Sequence, residues 1–313
     1  MGISMAVVFA VSLTIGALIL NSWGFWMVDR YKPQLAGEKG GGNSSVAAVE
    51  NFVSAFATIA EVPSGVKGAI MPHHLLVNGF IDLFYKKIAE KNKYDEIIFI
   101  SPNHFDLGRN YVQTSGVIKG HEFNFDVEGI AELVSRGVAF DEPKRFADEH
   151  GVWTHEKFLT KYFPEAKFIP LIIKRQTPQE KLDRLSDEII KLIKEKELNG
   201  KSVLIIGSLD FSHYSGEKES LENDRKTISW LGNLNEWAGG KMFIEAINLG
   251  ISADKRTDAV GIDSPESLYL FAKIMQGRGS EKFALWNRTS TIALIPTTPD
   301  ASNTSHIFGS FTN

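Results

Sequence analysis

Residues 96–104 read EIIFISPNH, and this stretch is the clearest indication of the fold class. Residues 96–100 have the length and the apolar, β-branched character of a buried strand. A proline, Asn103 and His104 follow this run at once. A buried strand that ends in a polar, histidine-bearing loop is typical of open α/β sheets, which place their ligands at the carboxyl ends of their strands.

The same pattern occurs twice more along the chain. Residues 66–71 read VKGAIM and lead into Pro72 and His73, while residues 203–206 read VLII and lead towards Asp210 and His213. Three imidazoles and a carboxylate at the strand ends of one sheet would form a metal site or an acid/base site.

Local geometry sorts the side chains in these motifs. His73 and His74 are adjacent on an extended segment, so only one of them can face a given site. Asp210 and His213 are three residues apart, so on a helical turn the carboxylate could orient the imidazole, or both could bind one metal. Asn103 could orient a substrate or hold a turn.

Strand and helix patterns alternate from about residue 47 onwards. This alternation predicts an α/β domain with a mainly parallel central sheet and helices on both faces. Helices are predicted at residues 75–90, 125–135, 151–162, 179–196 and 264–276, a further strand at 168–173, and closing strands at 283–286 and 291–295.

Composition restricts the chemistry. The net charge is -4 and no basic cluster adjoins an aromatic platform, so nucleic acid is not an expected partner. The chain has 0 cysteines, which excludes disulfides and thiolate zinc sites. Any metal must be held by His, Asp or Glu, a set that suits Fe(II), Mn(II) or Zn(II).

The N-terminal segment has its own character. Residues 1–28 carry no charged side chain and predict a membrane anchor, with a signal peptide as the alternative. Residues 29–46 form a predicted flexible linker, and residues 47–313 the folded domain. Basic residues after the anchor favour a cytoplasmic domain, whereas a cleaved signal peptide would make it extracytoplasmic.

Further acids and histidines are weaker candidates for the pocket. Glu149 and His150 lie on a loop that leads into a predicted helix, where a solvated helix start is the alternative interpretation. Asp258 and Asp263 precede the helix at 264–276, and either could complete a two-histidine, one-carboxylate site. His306 lies in polar surroundings and is predicted to be exposed.

Together these motifs resemble the Memo-like family, whose bacterial and archaeal members are called AmmeMemoRadiSam system protein B. The family is similar in fold to class III extradiol dioxygenases of the LigB type. The resemblance covers roughly residues 66–295. The matching elements are Pro72-His73, residues 101–104, Glu149-His150 and residues 208–214.

The resemblance implies roles for individual residues. His73 and His104 match the family's metal-binding histidines, so iron, or else copper or zinc, would be the ion. Asp210 matches the pocket aspartate, and His213 would be an acid/base residue. The resemblance thus favours His73 over His74.

One departure from the family concerns its cysteine. Many Memo-like proteins have Cys-Gly just before the helix that starts here near residue 264, whereas residues 259–261 read AVG. The third ligand would then be Asp263, with Asp258 and Glu266 as alternatives, unless the pocket has lost its metal.

Two functions follow as predictions. The first is a metal-dependent, dioxygenase-like or redox enzyme, and the second is a non-catalytic protein that binds a small molecule or peptide in the same pocket. A metal-assisted hydrolase is a weaker third. The resemblance also implies AMMECR-type and radical SAM proteins as partners.

Overall fold

The computed structural model describes residues 63–238, 240–251 and 260–313. The predicted anchor, the linker and Asp258 lie outside these residues. None of the helices within them is long and apolar enough to span a bilayer.

The described residues form a mixed α/β fold around one eight-stranded sheet with the strand order β4-β3-β5-β2-β6-β1-β8-β7. The strands are β1 (Gly68–Met71), β2 (Glu96–Pro102), β3 (Val112–Thr114), β4 (Phe140–Asp141), β5 (Lys167–Ile173), β6 (Val203–Ser208), β7 (Lys282–Ser290) and β8 (Ser305–Thr312). The four central strands β5, β2, β6 and β1 are parallel, as the alternating pattern predicts. β3 joins β5 and β8 joins β1 in antiparallel fashion, so the sheet as a whole is mixed.

Helices cover both faces of the sheet, and each face has its own core. The helices are α1 (Asn78–Lys91), α2 (Val127–Ser135), α3 (His150–Trp153), α4 (Glu156–Tyr162), α5 (Gln179–Leu198), α6 (Glu217–Leu231), α7 (Gly240–Gly250), α8 (Pro265–Gly277) and α9 (Thr291–Leu294). Side chains of β2 alternate between the two cores: Ile98 and Ile100 pack with α5 and α8, while Ile97 and Phe99 pack with α1 and α4. Burial on both faces explains why this strand is apolar throughout.

The end of the chain differs from the prediction. Residues 283–286 do lie in a strand, β7, but the predicted strand at 291–295 is wrong, because helix α9 occupies it. The Ser290 hydroxyl caps this helix by accepting a hydrogen bond from the Ala293 N–H at 3.0 Å. The second closing strand is β8, whose serines and glycine conceal its buried position in the sequence.

The strand order determines where the site lies. β2, β6 and β1 are neighbours, so the loops that leave their carboxyl ends lie side by side. His104, Asp210 and His73 each stand two residues beyond one of these strands.

Candidate metal centre

Two histidines and two aspartates meet at this edge of the sheet. His73 Nε2 lies 3.5 Å from Asp210 Oδ2 and 3.4 Å from Asp263 Oδ2. His104 Nε2 lies 3.7 Å from the same Asp263 oxygen. The structure thus brings together four residues that the sequence analysis selected from four separate segments.

The ring of His104 is held by a buried carboxylate. Its Nδ1–H donates to Glu149 Oε1 at 2.5 Å, and its backbone N–H donates to Glu149 Oε2 at 2.9 Å. The Gly151 N–H also donates to Glu149, at 3.1 Å. Glu149 is fully buried rather than part of a solvated helix start. Since Nδ1 is used for this bond, the other ring nitrogen of His104 is directed at Asp263.

His150 adds a third imidazole. Its ring centroid lies 4.0 Å from that of His104 and 5.3 Å from that of His73. One nitrogen from each of the three rings falls within 4.8 Å of the others, close enough to share a metal ion. The centre therefore has two candidates for a third ligand, Asp263 and His150.

The electrostatics of the pocket are dominated by burial and by the acids. Burial alone would lower the pKa of His104, but hydrogen bonds to Asp263 and Glu149 raise it to about 10. Burial, and then the charge of His104, hold the pKa of His73 well below its ordinary value. Burial and the neighbouring charge of Asp263 raise the pKa of Asp210 well above the usual aspartate range.

Two predicted residues lie beside this cluster. His213 Nδ1 lies 2.5 Å from the Phe211 carbonyl oxygen, and the expected hydrogen bond to Asp210 is not among the contacts of the described residues. The reason is local: the segment pairs with extended neighbours instead of forming a helical turn. His74 stacks on His306, with ring centroids 5.1 Å apart.

Other candidates have structural roles. His306 is fully buried in β8, so the prediction of a surface position is wrong. The Asn103 amide donates to the Leu107 carbonyl at 2.8 Å and holds the turn after β2. Glu266 accepts from the Gln176 N–H at 2.7 Å.

Sequence reasoning assigned no role to two buried groups behind His73. Ser208, the last residue of β6, lies 3.0 Å from His73 Nδ1, and its hydroxyl donates to the Gly151 carbonyl at 2.7 Å. His155 Nε2 lies 3.2 Å from the same hydroxyl. In the sequence, Ser208 stood out only as the first residue of the 208–214 motif.

The donors present fit a divalent metal ion. Ligands at about 2.0–2.2 Å from a metal lie roughly 3.0–3.5 Å from one another in octahedral or tetrahedral arrangements. The nitrogen–oxygen distances of 3.4 Å and 3.7 Å around Asp263 are close to this spacing. Its other oxygen, Oδ1, is buried without a hydrogen-bond partner. His104 and His150 are 19% and 37% exposed, so the centre is open on their side.

Fold and site together define an α/β protein with a histidine-carboxylate pocket at its parallel strand ends. The family model described as Memo-like protein matches residues 42–251 of the 313, and the chain belongs to this family.

Curated relatives are similar over part of their length. A MEMO1 family protein of Pyrobaculum arsenaticum is 30% identical over 54% of this chain and 61% of its own. One of Saccharolobus solfataricus is 30% identical over 48% of this chain and 54% of its own. The chain thus matches somewhat more than half the length of these relatives.

A solved structure supports the fold. The crystal structure of an uncharacterised protein from Escherichia coli K12 has a TM-score of 0.50 and 10% sequence identity, and the match covers 78% of this chain and 99% of that one. At this identity the likeness concerns the fold alone, which is consistent with the LigB-like fold that the sequence motifs imply.

Proposed function

We propose that this Memo-like protein is a metal-dependent oxidoreductase of the dioxygenase-like kind, with Fe(II) held by His73, His104 and Asp263. The observation that carries the proposal is the spacing of two imidazole nitrogens around one carboxylate oxygen of Asp263, at 3.4 Å and 3.7 Å. Two histidines and one carboxylate with open positions are the ligand set of non-haem Fe(II) oxygenases.

The environment of the ligands supports the same proposal. Bound Fe(II) would supply redox chemistry and open positions for O2 and substrate. The Glu149 carboxylate presets the His104 ring, as outer-shell carboxylates do in metal sites. Asp210 adjoins His73, and burial and the charge of Asp263 raise its pKa, so it is placed to hold a proton next to the reacting groups.

Metal binding should be coupled to proton release. His104 is charged because Asp263 and Glu149 raise its pKa to about 10, whereas a metal ligand must be a neutral imidazole. A divalent ion would take over the role of this positive charge between the two acids. Calorimetry in buffers of different ionisation enthalpy would show the released proton.

The main test is metal binding by the purified full-length chain. Fe(II) under anaerobic conditions, and Zn(II) as its redox-inert counterpart, are titrated into wild type, His73→Ala and His104→Ala. We expect each variant to lose more affinity than the roughly 10–100-fold that follows loss of an outer-shell partner. His74→Ala is the matched control, because His74 is adjacent in sequence but stacks on His306 and is not one of the clustered histidines.

Each outcome has a clear meaning. Wild-type affinity in both variants would refute the site. Failure of the wild type itself to take up either metal would favour the non-catalytic binding protein. Hydrolytic turnover by the Zn(II) form would instead favour a metal-assisted hydrolase.

A further inference from the structure

A continuous chain of hydrogen bonds leads from His73 into the core. His73 Nδ1 lies 3.0 Å from Ser208 Oγ, Ser208 Oγ lies 3.2 Å from His155 Nε2, and His155 Nδ1 lies 3.0 Å from the Tyr85 hydroxyl. All four side chains are buried. The chain begins on the side of the His73 ring opposite to the carboxylates, so it contacts the back of the candidate metal centre.

The direction of every hydrogen bond in this chain follows from one carbonyl group. Ser208 Oγ lies 2.7 Å from the Gly151 carbonyl oxygen, which can only accept. The single hydroxyl proton must point there, because two oxygens with no proton between them would repel at this distance. The hydroxyl can therefore only accept from the two imidazoles, so His73 is protonated on Nδ1 and His155 on Nε2.

The far end of the chain completes the assignment. Burial lowers the pKa of His155 to about 3, so its ring is neutral and its Nδ1 bears a lone pair. That nitrogen accepts from the Tyr85 hydroxyl, whose own pKa is raised by burial. Between His73 Nδ1 and the Tyr85 hydroxyl, each proton has one acceptor, which is the stable arrangement for a polar network.

We infer that Tyr85, His155 and Ser208 are positioning residues that hold His73 in its Nδ1–H tautomer, with the Nε2 lone pair directed at Asp210 and Asp263. The importance of this tautomer for metal binding rests on the proposed function, whereas the assignment of the tautomer does not. An Nε2–H tautomer would direct a proton at the metal position and exclude coordination there.

The same short helix presets both metal-binding histidines. Glu149, at the start of α3, orients His104, and the Gly151 carbonyl, two residues later, orients His73 through Ser208. A Cβ at position 151 would lie 2.2 Å from Ser101 Oγ, so a larger residue there would displace the Ser101 hydroxyl. The two histidines follow different strands, yet the groups that orient them, the Glu149 carboxylate and the Gly151 carbonyl, lie only two residues apart.

The first test needs no metal. Ring-15N-labelled histidine distinguishes the two neutral tautomers by NMR, and the His73→Gln variant assigns the signals of His73. We expect a single Nδ1–H tautomer for His73 in the metal-free wild-type protein. An Nε2–H tautomer there would overturn the inference, whether or not the protein binds iron.

The second test removes the hydroxyl. In Ser208→Ala, His73 should become a mixture of tautomers, and Zn(II) affinity should fall by about 10–100-fold. Ser310→Ala is the matched control, because Ser310 is a buried serine of the same sheet that accepts from the Trp286 ring N–H at 2.9 Å. Its Zn(II) affinity should equal that of the wild type, even if its stability falls.

Tyr85→Phe provides a milder variant should Ser208→Ala fail to fold. It removes the terminal proton donor and leaves His155 Nδ1 unpaired, so we expect a smaller loss of affinity in the same direction. A wild-type tautomer and wild-type affinity in both variants would refute a positioning role. Absence of Zn(II) binding by the wild type would count against the proposed function and leave the NMR result valid.

Discussion

Two clusters of buried charge lie at opposite ends of the central strands. At the amino ends, Lys196 Nζ lies 2.8 Å from Glu96 Oε1 and also contacts Asp126, and Lys201 Nζ lies 3.1 Å from Glu96 Oε1. At the carboxyl ends, Asp210 and the other pocket acids contact imidazoles. In the part of the chain that the structure describes, no lysine or arginine forms an ion pair with those acids.

The two clusters shift the same kind of side chain in opposite directions. Burial raises the pKa of Asp126, but the hydrogen bond and charge of Lys196 outweigh it and lower the pKa. Burial raises the pKa of Asp210, and the like charge of Asp263 raises it further. The charge of Lys196 therefore stabilises Asp126 as a carboxylate, whereas burial and the charge of Asp263 disfavour the charged form of Asp210.

The largest expected effect is the loss of the lysine that neutralises the amino-end cluster. Lys196→Met leaves Asp126 and Glu96 buried without their shared cation, which should lower the free energy of unfolding by about 3 kcal/mol. Urea denaturation measures it. Lys201→Met is the control, because Lys201 is 41% exposed and should cost less than about 1 kcal/mol. Equal losses of unfolding free energy in the two variants would show that Lys196 contributes no more to stability than the more exposed Lys201.

Acid should weaken the amino-end cluster through Asp126. Its folded-state pKa is below the unfolded value of about 4, so its stabilisation is present above that value and is lost as the pH falls through the lower folded pKa. The expected slope approaches about 1.4 kcal/mol per pH unit for one proton. Urea denaturation between about pH 5 and pH 3 measures it, and Asp126→Asn should lose this component of the slope. An unchanged slope in that variant would show that other groups are responsible.

The sequence predicted those parts of the molecule whose signals are local. The apolar run of β2 and Pro102 predicted that His104 lies at the carboxyl edge of the sheet, and the same pattern predicted this position for His73. The hydrogen bond between Glu149 and His104 joins residues that are 45 positions apart in the sequence. It depends on where helix α3 packs, and no local sequence pattern encodes that packing. His306 was misjudged because its neighbours in sequence are polar, while the sheet buries it among strands from elsewhere.

The smallest predicted effect is that of an aspartate-to-asparagine substitution in the pocket, which is the same type of change as Asp126→Asn in the amino-end cluster. Asp210→Asn keeps an oxygen that can accept from the His73 backbone N–H, as Asp210 Oδ1 does now at 3.2 Å. It removes a carboxylate whose charged form is disfavoured by burial and by the like charge of Asp263, so the free energy of unfolding at neutral pH should rise by about 1 kcal/mol.

Asp126→Asn at the same pH should lower the free energy of unfolding, because Lys196 then loses a charged partner. Thermal and urea unfolding measure the stability change in each variant. A loss of stability in both would show that the fold stabilises the charge of Asp210 as it does that of Asp126. Opposite signs would mean that the acids at the carboxyl edge are retained at a cost in stability, as expected of a site that binds a cation.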